Sequence, residues 1–277
     1  MAKIADIFSV AGQCAIVTGG ASGIGLGYTE ALAENGARVT MLDINAERIR
    51  TETKRLNDLG YNVRGLVADV SDHPALDKAV DEAVAAMGRL DVCFANAGIE
   101  SGPGFLSGFA GRGRPRNPEG AIENYTSARW QRVIDVNLGG IFATVRAAAR
   151  HMKPRKQGRI IVTTSIAALR AEPAVGVAYM AAKAGAAHFM RNVALELAPY
   201  NICVNAIAPG FIVTNIGAGL ESNLAVKDVI ARDVPMRRAG FPEDIKGLAL
   251  LLASPASAYI TGAEIPIDGG WTLGSAD

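Results

Sequence analysis

One pattern limits the possible folds more than any other. Short apolar runs alternate with longer stretches of helical periodicity, and the runs end on glycine, proline or a polar residue. Residues 14–17, 38–42, 63–67, 90–95, 159–163, 202–207 and 264–267 read as strands. Helices are expected at 23–35, closed by Gly36, and from Asn45, as cap, to about Leu59, stopping at Gly60. Another starts at Ser71 or Asp72 with Pro74 in its first turn and ends near Gly88. Three more are expected at 127–153, 177–197 and 242–253. Repeated strand–helix units imply an α/β fold, a doubly wound parallel sheet of about seven strands with helices on both faces. No composition shift marks a linker, so 1–277 reads as a single domain. Residues 100–124, rich in Gly, Pro, Arg and Asn, read as a long inserted irregular loop, and 211–240 as a substrate lid. The N-terminus is expected to run directly into the first core strand.

In such sheets a ligand lies beyond the carboxyl ends of the strands. Gly19, Asp43, Asp69, Asn96, Ser165 and Pro209 all stand at those ends. Gly19, Gly23 and Gly25, with Ser22 and Ile24 between them, join the first strand to the first helix. Glycines there let the backbone approach a pyrophosphate, and the helix N-terminus offers free N–H groups and a positive dipole end. Asp43 ends the second strand, followed by Ile44, where a carboxylate accepts from adenosine ribose hydroxyls and repels a 2′-phosphate. No Arg or Lys lies in the glycine turn or directly after Asp43, which favours NAD over NADP. Asp69 and Val70, after the third strand, are placed to face the adenine, with helix capping as the other reading of the aspartate.

Tyr179 and Lys183 stand at i and i+4 on one helix face. A phenol beside an ammonium is expected to ionise more readily than a free tyrosine, with pKa about 10, and so to trade a proton with an alcohol or carbonyl. Lys183 can also bond a nicotinamide ribose. Ser165 ends the fifth strand, where its hydroxyl can hold a substrate oxygen as charge develops. Asn137, on an otherwise apolar helix stretch, needs partners, and a water linking Lys183 to solvent is one expectation.

The balance of 28 basic against 27 acidic residues gives no footprint for nucleic acid or an anionic membrane. No run is long and apolar enough for a transmembrane helix. Cys14, Cys93 and Cys203 have no metal-ligand spacing and read as buried reduced thiols, in keeping with a cytoplasmic location. His73, His151 and His188 form no ligand cluster, so no metal is expected.

Taken in order, Thr18-Gly-x-x-x-Gly23-Ile24-Gly25, Asn96-Ala97-Gly98, Asn137, Ser165, Tyr179-x-x-x-Lys183 and Pro209-Gly210 resemble the short-chain dehydrogenase/reductase family over almost the whole chain. The resemblance implies a Rossmann-like fold, usually a homotetramer or homodimer. It also implies an Asn137–Ser165–Tyr179–Lys183 tetrad interconverting a secondary alcohol and a ketone by hydride transfer with NAD. Asn96, Ala97 and Gly98 would border the cofactor, as would Pro209 and Gly210; Thr214 would meet the nicotinamide carboxamide, with Ile212 beside it. Tyr259 to Gly262 and Asp268 to Gly270 would lie near the subunit interface and cofactor pocket. Two departures concern the substrate pocket: the 100–124 loop is longer than usual in the family, and the Ser165–Tyr179 interval is a residue longer.

Other readings stay open. One is an NADPH-dependent 3-oxoacyl thioester reductase, against which Asp43 argues. Another is a catalytically silent NAD-sensing protein, against which the full tetrad argues. Arg112, Arg114 and Arg116 could attract an anionic substrate, or merely be solvated. Ile216, Leu220, Leu224, Val229 and Met236 would give the lid a partly apolar lining.

Overall fold

The computed structural model describes residues 3–107, 115–214 and 230–274. Seven parallel strands form one sheet: β1 (Cys14–Thr18), β2 (Arg38–Asp43), β3 (Asn62–Val67), β4 (Val92–Ala95), β5 (Gly158–Thr163), β6 (Ile202–Pro209) and β7 (Glu264–Ile267). Their spatial order is β3-β2-β1-β4-β5-β6-β7. The order reverses direction between β1 and β4, which opens a crevice at the carboxyl ends of those two strands. Strands β1, β4 and β6 are buried at every position, while in the edge strand β3 only Val63 is buried.

The described helices are α1 (Ile4–Ile7), α2 (Gly23–Glu34), α3 (Ala46–Asp58), α4 (His73–Met87), α5 (Ser127–Ile134), α6 (Gly140–Met152), α7 (Val177–Leu197) and α8 (Pro242–Ala253). Helices α4, α6 and α7 cover one face, around Leu76, Ile141 and Met190; α2 and α8 cover the other, around Tyr28, Leu32 and Leu252. Each such side chain is essentially fully buried, and burial of this kind contributes about 1.5–3 kcal/mol apiece. The helix ends follow from the sequence. Asn45 caps α3 through Arg48 N, and Asp72, rather than Ser71, caps α4 through Ala75 N. Gly88 closes α4 in the left-handed conformation at φ 82°.

The structure corrects the sequence reading in three places. The short helix α1 precedes β1, where a direct run into the strand was expected. The expected helix 127–153 is two helices separated by a π turn, Asp135–Gly139. The described part of the 100–124 loop is ordered by 3-10 turns at Pro118–Gly120 and Ile122–Asn124 and by isolated bridges, Leu106 to Arg116 and Pro103 to Val175. The three cysteines are free and buried.

Candidate active site

The crevice at the switch point is a cleft of about 1510 Å³ that extends from Asp43 at one end to Trp271 at the other. Its floor is stapled by Thr18 and Asn96. Thr18 Oγ1 donates to Phe94 O and accepts from Asn96 N at 3.0 Å, while Asn96 Nδ2 donates to Thr18 O at 3.0 Å. The loops after β1 and β4 are thereby fixed to each other. Gly19, with φ 64°, lies so close to Ala97 Cα that a Cβ would approach it to 2.9 Å. A Cβ on Gly25, the third glycine of the turn, would collide with the carbonyl oxygen of Gly19. Glycine is therefore required both to make the turn and to bring backbone to the cleft surface.

Gly19, Ser22, Ile24 and Gly25 line the cleft at the N-terminus of α2. Gly23 does not. It faces Thr214, and a Cβ there would lie 3.2 Å from Thr214 Cβ. The cleft wall then passes Asp43 and Ile44, Asp69 and Val70, and Asn96, Ala97 and Gly98; Pro209, Gly210, Ile212 and Thr214 stand across from them. Asp43 is held by the turn it faces: Oδ2 accepts from Ala21 N at 3.2 Å and Oδ1 from Asn45 N at 3.0 Å. Asp69 Oδ1 accepts from Ser71 N and Ser71 Oγ, which makes a local turn and leaves the cap of α4 to Asp72. Arg48, one turn into α3, also lines this end. Looking only at the residues directly after Asp43 missed it. The helical spacing from the Asn45 cap would have found it.

The other half of the cleft gathers Asn137, Ser165, Tyr179 and Lys183. Asn137 is fully buried in the π turn. Such a turn breaks the regular backbone ladder and re-aims a side chain. Asn137 Nδ2 donates to Ile99 O at 3.0 Å and Val133 O at 3.1 Å, and Oδ1 accepts from Ile99 N at 3.3 Å. Asn137 Oδ1 and Lys183 Nζ both face Gly98, where an added Cβ would lie 2.7 and 3.7 Å from them. Ser165 leaves β5 in extended conformation and accepts from Ala167 N at 3.1 Å. Lys183 Nζ is buried, donates to Thr163 O at 2.9 Å, and lies 5.5 Å from the Tyr179 ring centroid. That backbone partner of Lys183 has no side-chain signature and is invisible in the sequence.

Electrostatics overturn one expectation. Tyr179 does not ionise more readily here: burial raises its pKa, the Ser165 hydrogen bond lowers it, and the Glu100 charge raises it further. The Lys183 ammonium does not offset these effects, and burial lowers its own pKa to about 8. Arg112 and Arg114, and Ile216, Leu220, Leu224 and Val229 of the expected lid, lie outside the described residues. Of those two groups, Arg116 and Met236 are described, and both are exposed.

Among the described residues, no group of His, Cys, Asp or Glu could hold a metal ion, and no helix is long and apolar enough to cross a membrane. The residues present fit a dinucleotide: a glycine cradle that any Cβ would fill, a helix N-terminus behind it and a carboxylate at the far end of the same wall.

Comparison with known proteins agrees with this geometry. A family model described as enoyl-(acyl carrier protein) reductase matches residues 19–272. The chain is 37% identical to a 3-oxoacyl-[acyl-carrier-protein] reductase of Chlamydia muridarum (strain MoPn / Nigg), covering 93% of this chain and 96% of that protein. It is 35% identical to a cyclohexanol dehydrogenase of Rhodococcus sp. (strain TK6), covering 96% and 98%. Among solved structures, a short-chain type dehydrogenase/reductase from Mycobacterium marinum superposes with a TM-score of 0.85 at 30% identity, covering 98% of this chain and 99% of that one. The chain belongs to the short-chain dehydrogenase/reductase family of nicotinamide-cofactor oxidoreductases.

Proposed function

We propose that the protein is an NAD-dependent dehydrogenase that interconverts a secondary alcohol and a ketone. The observation that carries this reading is the convergence of Ser165, Tyr179, Lys183 and Asn137 on one end of a cleft whose other end presents Asp43. A bound nicotinamide cofactor would accept the hydride from the carbinol carbon or return it to the ketone. Ser165 Oγ holds the substrate oxygen, and Tyr179 takes the hydroxyl proton as the phenolate or gives it back as the phenol. Such proton transfer contributes about 10²–10⁴-fold to rate. Lys183, donating to Thr163 O, holds an ammonium beside the phenol, from where it would bond the ribose of a bound cofactor. Asn137 holds the loop after β4 at Ile99 and shares the Gly98 surface with Lys183. The remaining cofactor contacts are assigned to Gly19, Ser22, Ile24, Gly25, Asp43, Ile44, Asp69, Val70, Asn96, Ala97, Gly98, Pro209, Gly210, Ile212 and Thr214, with Gly23 shaping the turn.

Preference for NAD rests on Asp43, whose carboxylate repels a 2′-phosphate. Arg48 supports a second reading, an NADPH-dependent 3-oxoacyl thioester reductase, because it lines the same end of the cleft and carries a cation that could meet a 2′-phosphate. The test is kcat/KM for NAD and NADP in the wild type, Asp43→Asn and Arg48→Ala. The first reading requires NAD preference in the wild type and its loss in Asp43→Asn. Preference for NADP in the wild type, lost in Arg48→Ala, overturns the NAD assignment and favours the second reading, which turnover of a 3-oxoacyl thioester with NADPH would then establish.

A further inference from the structure

We propose that Glu100 is a specificity-determining residue that accepts a hydrogen bond from a second hydroxyl of the substrate, next to the carbinol being oxidised, so that the preferred substrates are neutral vicinal diols and polyols rather than mono-alcohols or carboxylates. The inference rests on the alcohol–ketone reading above and names its substrate class.

The position of Glu100 is fixed from both sides. On one side Asn137 grips both backbone polar groups of Ile99. On the other, Ser101 O accepts from Arg129 Nε at 2.7 Å and from Tyr125 Oη at 3.1 Å. Arg129 stacks over the Tyr125 ring at 4.3 Å and also donates to Pro103 O and Glu119 O at 3.2 Å. The backbone carrying Glu100 is therefore pinned, although its side chain is exposed to the cleft it lines. Pinning removes much of the ordering cost that an exposed carboxylate would otherwise incur on binding a ligand.

The carboxylate itself is uncommitted. Among the described residues Glu100 makes no hydrogen bond and no ion pair, whereas Glu172, also on the cleft wall, lies 3.8 Å from Arg170 Nη2. An ionised carboxylate accepts hydrogen bonds and donates none, so it favours hydroxyls and disfavours a carboxylate substrate. Its neighbour Ser101 packs at the start of the Tyr179 helix, where a Cβ on Gly176 would lie 2.5 Å from Ser101 Oγ. The loop therefore carries Glu100 to the phenol's end of the cleft, and its charge pushes the phenol's pKa up. Around that phenol, Lys183 stands on the same helix, Glu100 comes from the loop after β4, and the neutral Ser165 comes from the end of β5.

The test compares cyclohexanol, cyclohexane-1,2-diol and 4-hydroxycyclohexanecarboxylate in the wild type, Glu100→Gln and Glu100→Ala. The ratio of kcat/KM for the diol to that for the mono-alcohol should fall about tenfold in both variants, as expected for loss of one charge-assisted hydrogen bond. The ratio for the carboxylate should rise in Glu100→Gln. The rising limb of the pH profile for alcohol oxidation should also move to lower pH in Glu100→Gln, because removing a like charge eases ionisation of Tyr179, a change that mere loss of packing would not produce. Diol-to-mono-alcohol ratios equal in the wild type and both variants overturn the assignment while leaving the dehydrogenase reading intact. A wild type that oxidises none of the three with NAD or NADP overturns both.

Discussion

Asn137 holds Ile99 by both of its backbone polar groups, donating to the carbonyl at 3.0 Å and accepting from the amide N–H at 3.3 Å. The π turn provides this geometry, since a regular helix would aim residue 137 elsewhere. Asn137→Ala should leave these backbone groups unpaired at a cost of about 1–3 kcal/mol. A urea titration checks the stability loss. Turnover should fall as well, because the same loop carries Gly98 and Glu100.

Gly25→Ala should abolish cofactor binding while leaving a folded protein. The added methyl collides with the Gly19 carbonyl, and relief of that clash moves the turn that faces the cleft. Calorimetric titration with NAD and NADH reads the binding, and circular dichroism reads the fold. Wild-type affinity in this variant would mean that the turn is not the cradle.

Lys183 should make cofactor binding pH-dependent. Burial lowers its pKa to about 8, so the ammonium is present below that value and is lost as pH rises through it. Cofactor affinity should weaken across that interval and lose its dependence in Lys183→Met. Tyr179 and Lys183 are close enough for the kinetic profile to report the pair rather than either residue alone.

Asp91 fixes the opposite end of the sheet. Burial alone would raise its pKa, but hydrogen bonds from Cys14 N, Arg89 and Arg155 outweigh burial and lower it. A carboxyl whose pKa is lower in the folded state adds stability above its unfolded value of about 3.9, and that contribution is lost as pH falls through the folded value. Asp91→Ala should cost about 1–3 kcal/mol at neutral pH, by orphaning the buried Cys14 N–H and removing the carboxylate partner of Arg89 and Arg155, and the charge-dependent part of that cost should be lost in acid. Thermal melts at pH 7 and pH 3 check both statements.

The fold was legible because the signals were local. Buried parallel strands are apolar runs, and Asn45, Asp72 and Gly88 end or begin helices by their own chemistry. Most of the proposed site was legible for a related reason: distinctive residues at strand ends converge in this topology, as Gly19, Asp43, Asn96 and Ser165 do. The rest depended on backbone positions. Thr163 holds Lys183 through a carbonyl, Asn137 holds Ile99 through main-chain atoms, and the π turn has no composition of its own. The acidity expected for Tyr179 failed because i, i+4 spacing gives proximity but not burial, and burial shifts both partners against ionisation. Glu100 carried no signal, since only the folded loop brings it to the cleft that Tyr179 lines.

The most direct test of the dehydrogenase reading follows NADH absorbance for the wild type and Tyr179→Phe, with NAD and NADP offered separately against secondary alcohols, polyols and hydroxyacyl thioesters. The account predicts turnover of an alcohol with NAD in the wild type, and a loss of about 10²-fold or more in Tyr179→Phe with NAD binding retained. Tight NAD binding without turnover of any substrate, or turnover undiminished in Tyr179→Phe, would contradict it.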